Sequence, residues 1–216
     1  MKAARLWIGL ALLLPALSGA RAAEVELRTV DLAYSPEAVK RGAETVTSVC
    51  TACHSLKYIK YRDLLKLGYT PGEVDAKRAE HDLDAPLLGA MPPESAIQAF
   101  GKIPPDLSLM ALAREGGGRY IFSMVTGFYL DPAGNVDNRV FHGIKMPDIL
   151  GFSGVTDAAQ RAELERTVRD AAIFLQWAAD PKAQERRTLG IYVLGYLLVL
   201  TVLMYLLKRR IWSRLR

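Results

Sequence analysis

Cys50-Thr51-Ala52-Cys53-His54 gathers both cysteines of the chain and one of its three histidines into five consecutive positions. Two thiols three residues apart on one helical turn, followed at once by an imidazole, form the attachment pattern of a c-type haem. The thiols reach the two vinyl groups and the imidazole faces the iron. A chain built on that pattern has to fold around an apolar cleft large enough for a porphyrin. The rival readings fit less well. A thioredoxin-like CxxC pair needs no histidine after it, and a zinc site needs two further ligands at short spacing, which a chain without a third cysteine does not offer.

The two ends carry a different chemistry from the middle. Lys2 and Arg5, the apolar run Leu6 to Leu17, and Ala20-Arg21-Ala22 predict an export signal over residues 1–22, cleaved after Ala22. Leu189 to Leu207 is an uncharged stretch of 19 residues, about 28 Å long as a helix, which matches the hydrocarbon core of a bilayer. Lys208, Arg209, Arg210, Arg214 and Arg216 follow it without an acid, so the positive-inside rule places the tail in the cytoplasm and the preceding domain outside. Together these features predict a single-pass protein of a bacterial inner membrane with its main domain in the periplasm.

Ten of the 28 basic residues lie in these end segments, which leaves 18 against all 23 acids. Residues 23–185 therefore carry about −5 although the whole chain is +5. This excludes nucleic acid as a partner and fits steering of a basic redox partner. The run Glu73, Asp75, Glu80, Asp82, Asp84 is the candidate docking surface.

Helical signals dominate the middle, so the expected fold is mainly α: a cytochrome c-like haem domain with long loops over residues 23–185, then a transmembrane anchor and basic tail over 186–216. Ser35-Pro36-Glu37 predicts an N-cap with proline at the first helical position, opening a helix that runs into the haem motif. Further helices are expected over Leu107 to Arg114 and Tyr120 to Thr126. A last one runs from a cap at Thr156 or Asp157 to Ala179, where Leu164, Val168, Ala171, Ala172 and Leu175 recur at helical spacing. Residues 68–106 and 127–155, rich in Gly and Pro, read as loops.

A second iron ligand is expected from such a loop, because a thioether there closes the iron to oxygen and substrate and favours electron transfer. Met110 and Met124 stand among apolar helical neighbours and read as packing residues. Of Met91 and Met146, each followed by proline, Met146 precedes the last helix and is preferred. His142, four residues earlier, is the alternative ligand, and His81 in the acidic run reads as a solvated surface residue.

Over nearly its whole length the chain resembles the cytochrome c1 family, the haem subunit of quinol:cytochrome c oxidoreductase, the cytochrome bc1 complex. The matching stretches are Arg41-Gly42, Cys50 to Ser55, Tyr61-Arg62-Asp63-Leu64, Pro104-Pro105-Asp106-Leu107-Ser108, Ala113-Arg114, Gly117, Tyr120, Thr126-Gly127, Met146-Pro147, Phe174 to Ala179 and the closing span to Ser213. The resemblance implies one haem c linked through Cys50 and Cys53, with His54 and Met146 as axial ligands. Arg114 and Tyr120 would hold the propionates, and Pro104 and Pro105 would line the haem face with Ile103. It further implies an electron taken from the Rieske iron-sulfur protein and passed to cytochrome c, a span beside cytochrome b, a dimeric complex and no catalysis by this subunit alone. A free-standing, membrane-anchored cytochrome acting as an electron shuttle is the alternative.

The chain departs from the family pattern in three places. Ala99-Phe100 stands where family members carry an Asn pair, Phe128 where they carry Tyr, and the stretch from Phe141 to Met146 is two residues shorter.

Overall fold

The computed structural model of the protein describes residues 26–214. The export signal expected over residues 1–22 and the last two residues of the tail lie outside this range.

Helix α1 (Pro36–Ser48) opens as its sequence dictates: Ser35 is extended, its Oγ accepts from the Ala38 N–H at 3.1 Å, and Pro36 takes the first turn. Ala38, Val39, Gly42, Ala43 and Val46 are buried, the spacing of one helical face. The turn Cys50–Ala52 and the short strand β1 (Leu56–Lys60) follow. Then come α2 (Tyr61–Leu65), α3 (Pro71–Arg78), β2 (Pro86–Leu87) and α4 (Pro93–Phe100). β2 pairs antiparallel with β1, Leu56 opposite Leu87.

Next are α5 (Met110–Ala113), α6 (Gly118–Thr126) and a hairpin of β3 (Phe128–Leu130) with β4 (Val136–Asn138), Phe128 opposite Asn138. α7 (Ala158–Ala179) crosses both α1 and α6. Its N-cap is Asp157, whose carboxylate accepts from the Gln160 N–H at 2.7 Å. Phe174 and Phe152 are wholly buried with Leu56, Ile59 and Leu64, each worth about 1.5–3 kcal/mol of apolar burial.

The crossing of α1 on α7 explains the Arg41-Gly42 pair. A Cβ at residue 42 would stand 1.9 Å from the Asp170 carbonyl oxygen, so only glycine lets the helix backbones approach this closely. Beside it, Arg41 Nε donates to the buried Asp170 carboxylate at 2.6 Å. Without that guanidinium, the carboxylate would be buried with a much weaker partner set.

Two expectations need correction. Residues 68–106 contain α3, β2 and α4 as well as loops, and residues 127–155 contain the β3–β4 hairpin. The prolines there act as helix starters: Thr70 caps α3 in a capping box with Glu73, and Pro92-Pro93 opens α4. The helix expected over Leu107 to Arg114 shrinks to Met110–Ala113, because the residues just before it are engaged by β1.

α8 (Ala183–Ser213) leaves the domain after Asp180-Pro181-Lys182 and buries none of its apolar surface. A helix of 31 residues whose apolar window is wholly exposed has the length and surface of a membrane span.

Candidate haem site

At the end of α1 the chain tightens. The N–H groups of Cys53 and His54 both donate to the Cys50 carbonyl, at 3.1 and 2.9 Å. Thr51 Oγ1 donates back to the Thr47 carbonyl at 2.7 Å. This one turn brings Cys50, Cys53 and His54 to the wall of a single cleft. From outside, the segment Gly89-Ala90 clamps it: Ala90 N–H donates to the Thr51 carbonyl at 2.8 Å and Gly89 N–H to Ser55 Oγ at 2.9 Å. A Cβ on residue 89 would press to 3.0 Å on the Cys53 carbonyl oxygen, which is why the clamp carries glycine.

The Pro104-to-Ser108 segment orients the imidazole. His54 Nδ1 lies 2.8 Å from the Pro105 carbonyl oxygen. Because that oxygen only accepts, Nδ1 carries the proton and Nε2 keeps its lone pair. Burial lowers the His54 pKa, against the Pro105 carbonyl and the Asp106 carboxylate, which raise it. A neutral ring is the form that binds iron.

Asp106 and Ser108 fix the segment to β1. The Asp106 carboxylate accepts from the N–H of Lys57 at 2.9 Å and of Ser108 at 2.8 Å. The fully buried Ser108 hydroxyl accepts from Tyr58 N–H at 3.0 Å, and Leu107 N–H donates to the Ser55 carbonyl at 2.8 Å.

The cleft holds about 1540 Å³ of space counted out to its open mouth. One wall comes from α5, α6 and α7 through Met110, Ile121, Met124, Val168, Ala171 and Leu175; another from Phe141, Ile144, Met146, Ile149 and Leu150. The loop bearing Met146 is tied at both ends. Buried Asn138 donates through Nδ2 to the Met124 carbonyl at 2.7 Å, and its Oδ1 accepts from Val140 and Phe141 N–H. The Asp137 carboxylate accepts from Gly143 N–H at 2.8 Å and pairs with His142 Nδ1 at 3.0 Å. His142 first, then the Gly143 and Asn138 N–H groups, hold the Asp137 carboxyl down at about 2. Beyond Met146, Asp148 accepts from Phe152 and Ser153 N–H at 3.0 and 2.6 Å.

Cys50, Cys53, His54, Pro104, Pro105, Arg114, Tyr120 and Met146 all line this one cleft. The Arg114 guanidinium carbon lies 5.6 Å from the Tyr120 ring centre. Met110 and Met124, expected to pack, form part of the cleft wall, whereas Met91 lies outside it. Ile103, expected to line the face, is 57% exposed and outside the cleft, because the chain turns inward only at Pro104. His142 is exposed, paired with Asp137 and outside the cleft; exposed His81 stacks on Tyr61 at 6.0 Å.

The donor set suits a haem. Both cysteines are free, half-buried thiols beside a neutral imidazole in an apolar surround. Burial, then the Cys53 charge, push the Cys50 thiol up to about 11, so in this apolar setting it rests as a thiol. Asp106, Ser108, Gly89 and Asn138 are the supporting residues that sequence reasoning missed. The Asp-x-Ser spacing hinted at a side-chain-closed turn, but nothing near Asn138 in the sequence marks its role.

A helical domain that closes such a cleft, carried among the described residues on one membrane-length helix, fits a membrane-anchored protein of the haem electron-transfer class. The Cytochrome C1 family model matches residues 28–215. The chain belongs to that family, the haem electron-transfer subunit of the cytochrome bc1 complex, quinol:cytochrome c oxidoreductase. It is 33% identical to the mitochondrial heme protein cytochrome c1 2 of Arabidopsis thaliana, over 85% of this chain and 69% of the relative. With cytochrome c1 of Rhodospirillum rubrum the identity is 29%, covering 83% and 82%. A protein named cytochrome b/c1 from Bradyrhizobium diazoefficiens is 29% identical over 82% of this chain and 33% of its own length.

Proposed function

We propose that the cleft holds one haem c, linked through Cys50 and Cys53 and ligated by His54 and Met146. The chain would then carry single electrons from the Rieske iron-sulfur protein to cytochrome c. The observation that carries this reading is the convergence of both thiols, the oriented imidazole and the Met146 thioether on one apolar cleft.

When bound, the haem supplies a one-electron iron couple. The chain's own residues set its surroundings. The Pro105 carbonyl holds His54 Nδ1–H so that Nε2 faces inward. Met146 would offer the iron a soft, neutral donor that favours its reduced form. Arg114, with Tyr120 beside it, offers forked donors to propionates at the cleft wall. Pro104 and Pro105, without N–H groups, add an apolar edge that leaves no donor unsatisfied. No acid, base or nucleophile is needed from this subunit, and quinol chemistry falls to cytochrome b.

The domain plan accompanying this reading is a cleaved signal over 1–22, a haem domain over 23–185 and an anchor with a basic tail over 186–216. The span would sit beside cytochrome b in a dimeric complex of a bacterial inner membrane. The basic residues Lys208, Arg209 and Arg210 support a cytoplasmic tail and a periplasmic haem domain. Copurification from native membranes tests the assignment. Stoichiometric cytochrome b and iron-sulfur protein are expected, and recovery of the haem protein alone under mild detergent would favour the free-standing shuttle.

A further inference from the structure

We propose that a second pocket binds a phosphate-type oxyanion between the guanidinium groups of Arg139 and Arg161, and that the bound anion ties together the two ends of the segment carrying Met146. The pocket shares no lining residue with the haem cleft, and its chemistry does not depend on the electron-carrier reading.

Helix α6 divides the two sites. Its Ile121, Met124 and Val125 line the cleft, whereas Ser123 and Thr126 line the pocket, which holds about 710 Å³ of space counted out to its open mouth. Three arginines reach this pocket from separate parts of the chain: Arg28 from the segment before α1, Arg139 just after β4, and Arg161 near the start of α7.

Arg28 is committed to the fold. Its guanidinium donates to both Glu165 carboxylate oxygens, at 2.8 and 3.0 Å, and to Thr126 Oγ1 at 3.1 Å, while its N–H donates to Ser123 Oγ at 2.9 Å. Arg139 and Arg161 are not so engaged. Among the described residues neither has an ion-pair partner. Each is nevertheless oriented by a ring: Arg139 lies 5.0 Å from the Tyr129 ring centre and Arg161 5.8 Å from that of Phe152. Stacking fixes the plane of a guanidinium and leaves its edge donors available. Glu26, the other carboxylate of the lining, is exposed, so the three arginines outweigh the acids.

A carboxylate presents two oxygens, which one guanidinium fork fills. A phosphate presents enough oxygens for two forks, and charge to match both. Its position has a mechanical consequence. Arg139 opens the segment that carries Met146, with its N–H donating to the Gly127 carbonyl at 3.0 Å. At the far end, Arg161 Nη2 donates to the Phe152 carbonyl at 3.0 Å. An anion bridging the two guanidiniums therefore joins residues 139 and 152 across the base of the loop.

The test uses the exported full chain in a phosphate-free detergent, titrated calorimetrically at low salt with inorganic phosphate. Phosphatidic acid in neutral micelles is the second probe, and acetate is the monoanion control. Amide hydrogen exchange over residues 139–152 is read with and without phosphate, and circular dichroism checks that each variant is folded.

One phosphate per chain is expected, with acetate bound at least about tenfold more weakly and exchange over residues 139–152 slowed by phosphate. Arg139→Gln and Arg161→Gln should each weaken phosphate binding about tenfold or more, and the double variant should lose both binding and protection. Arg166→Gln, which removes the same charge from an exposed position on α7, should keep both. Binding of inorganic phosphate identifies a free ion as the ligand, and binding of phosphatidic acid alone identifies a lipid headgroup carrying the same group. No binding of either probe, binding that the two glutamine variants leave unchanged, or binding that leaves exchange over residues 139–152 untouched overturns the proposal.

Discussion

His54 Nδ1 stands 2.8 Å from the carbonyl oxygen of Pro105, fifty-one positions further along the chain. The segment carrying that carbonyl is itself pinned to β1 by Asp106 and Ser108. Ring orientation therefore depends on a carboxylate that is not itself in the cleft wall.

Asp106 is a positioning residue, and Asp106→Ala removes the acceptor of the Lys57 and Ser108 N–H groups. The cost is expected to be about 1–3 kcal/mol of stability, with the haem still attached but its reduction potential shifted. Thermal unfolding and a potentiometric titration check this. A purely structural role would lower the unfolding midpoint and leave the potential where it was.

Met146→Leu leaves a side chain of similar size that cannot ligate iron. It should abolish the weak far-red band of a methionine-ligated ferric haem and lower the potential. Met91→Leu should change neither, since Met91 lies outside the cleft. The reverse pattern would show that the other loop supplies the ligand.

Gly42→Ala places a methyl 1.9 Å from the Asp170 carbonyl at the α1–α7 crossing. One helix has to shift, at a cost of about 1–3 kcal/mol or more, and the unfolding midpoint should fall by at least about 2 °C. Gly72→Ala, where a Cβ meets open space, is the control and should be nearly neutral.

The Asp137 carboxyl is held down at about 2, first by His142 and then by the Gly143 and Asn138 N–H groups. A depressed carboxyl contributes stability that is complete above its ordinary value near 3.9 and lost as pH falls through the folded value. The Met146 loop should thus begin to loosen as pH drops from about 4 toward 2. Asp137→Asn should shift the loss of the far-red band to higher pH in an acid titration, and an unmoved titration would remove Asp137 from any role in the loop.

The features legible in the sequence are those whose cause is local. The haem turn, the Ser35-Pro36 start of α1, the Asp157 cap and periodic face of α7, and the uncharged span of α8 each depend on residues within a turn or two. α3 carried a readable signal in Thr70-Pro71 with Glu73, obscured by the surrounding Gly and Pro. The supports of the site were not readable, because they join distant positions: Asp106 to Lys57, Asn138 to Met124, Gly89 to the Cys53 backbone. Charge was legible as a sum but not as a pattern. Only the fold shows that three of the five acids of residues 73–84 are paired with cations while Lys102 and Lys145 line the cleft.

The most direct measurement is the intact mass and absorption spectrum of the full chain, exported by a host able to attach haem and then denatured or kept native. One haem should remain bonded after denaturation, and the native spectrum should be that of a low-spin, methionine-ligated centre that ignores carbon monoxide. A polypeptide of unmodified mass, or a high-spin spectrum that responds to carbon monoxide, would contradict the account.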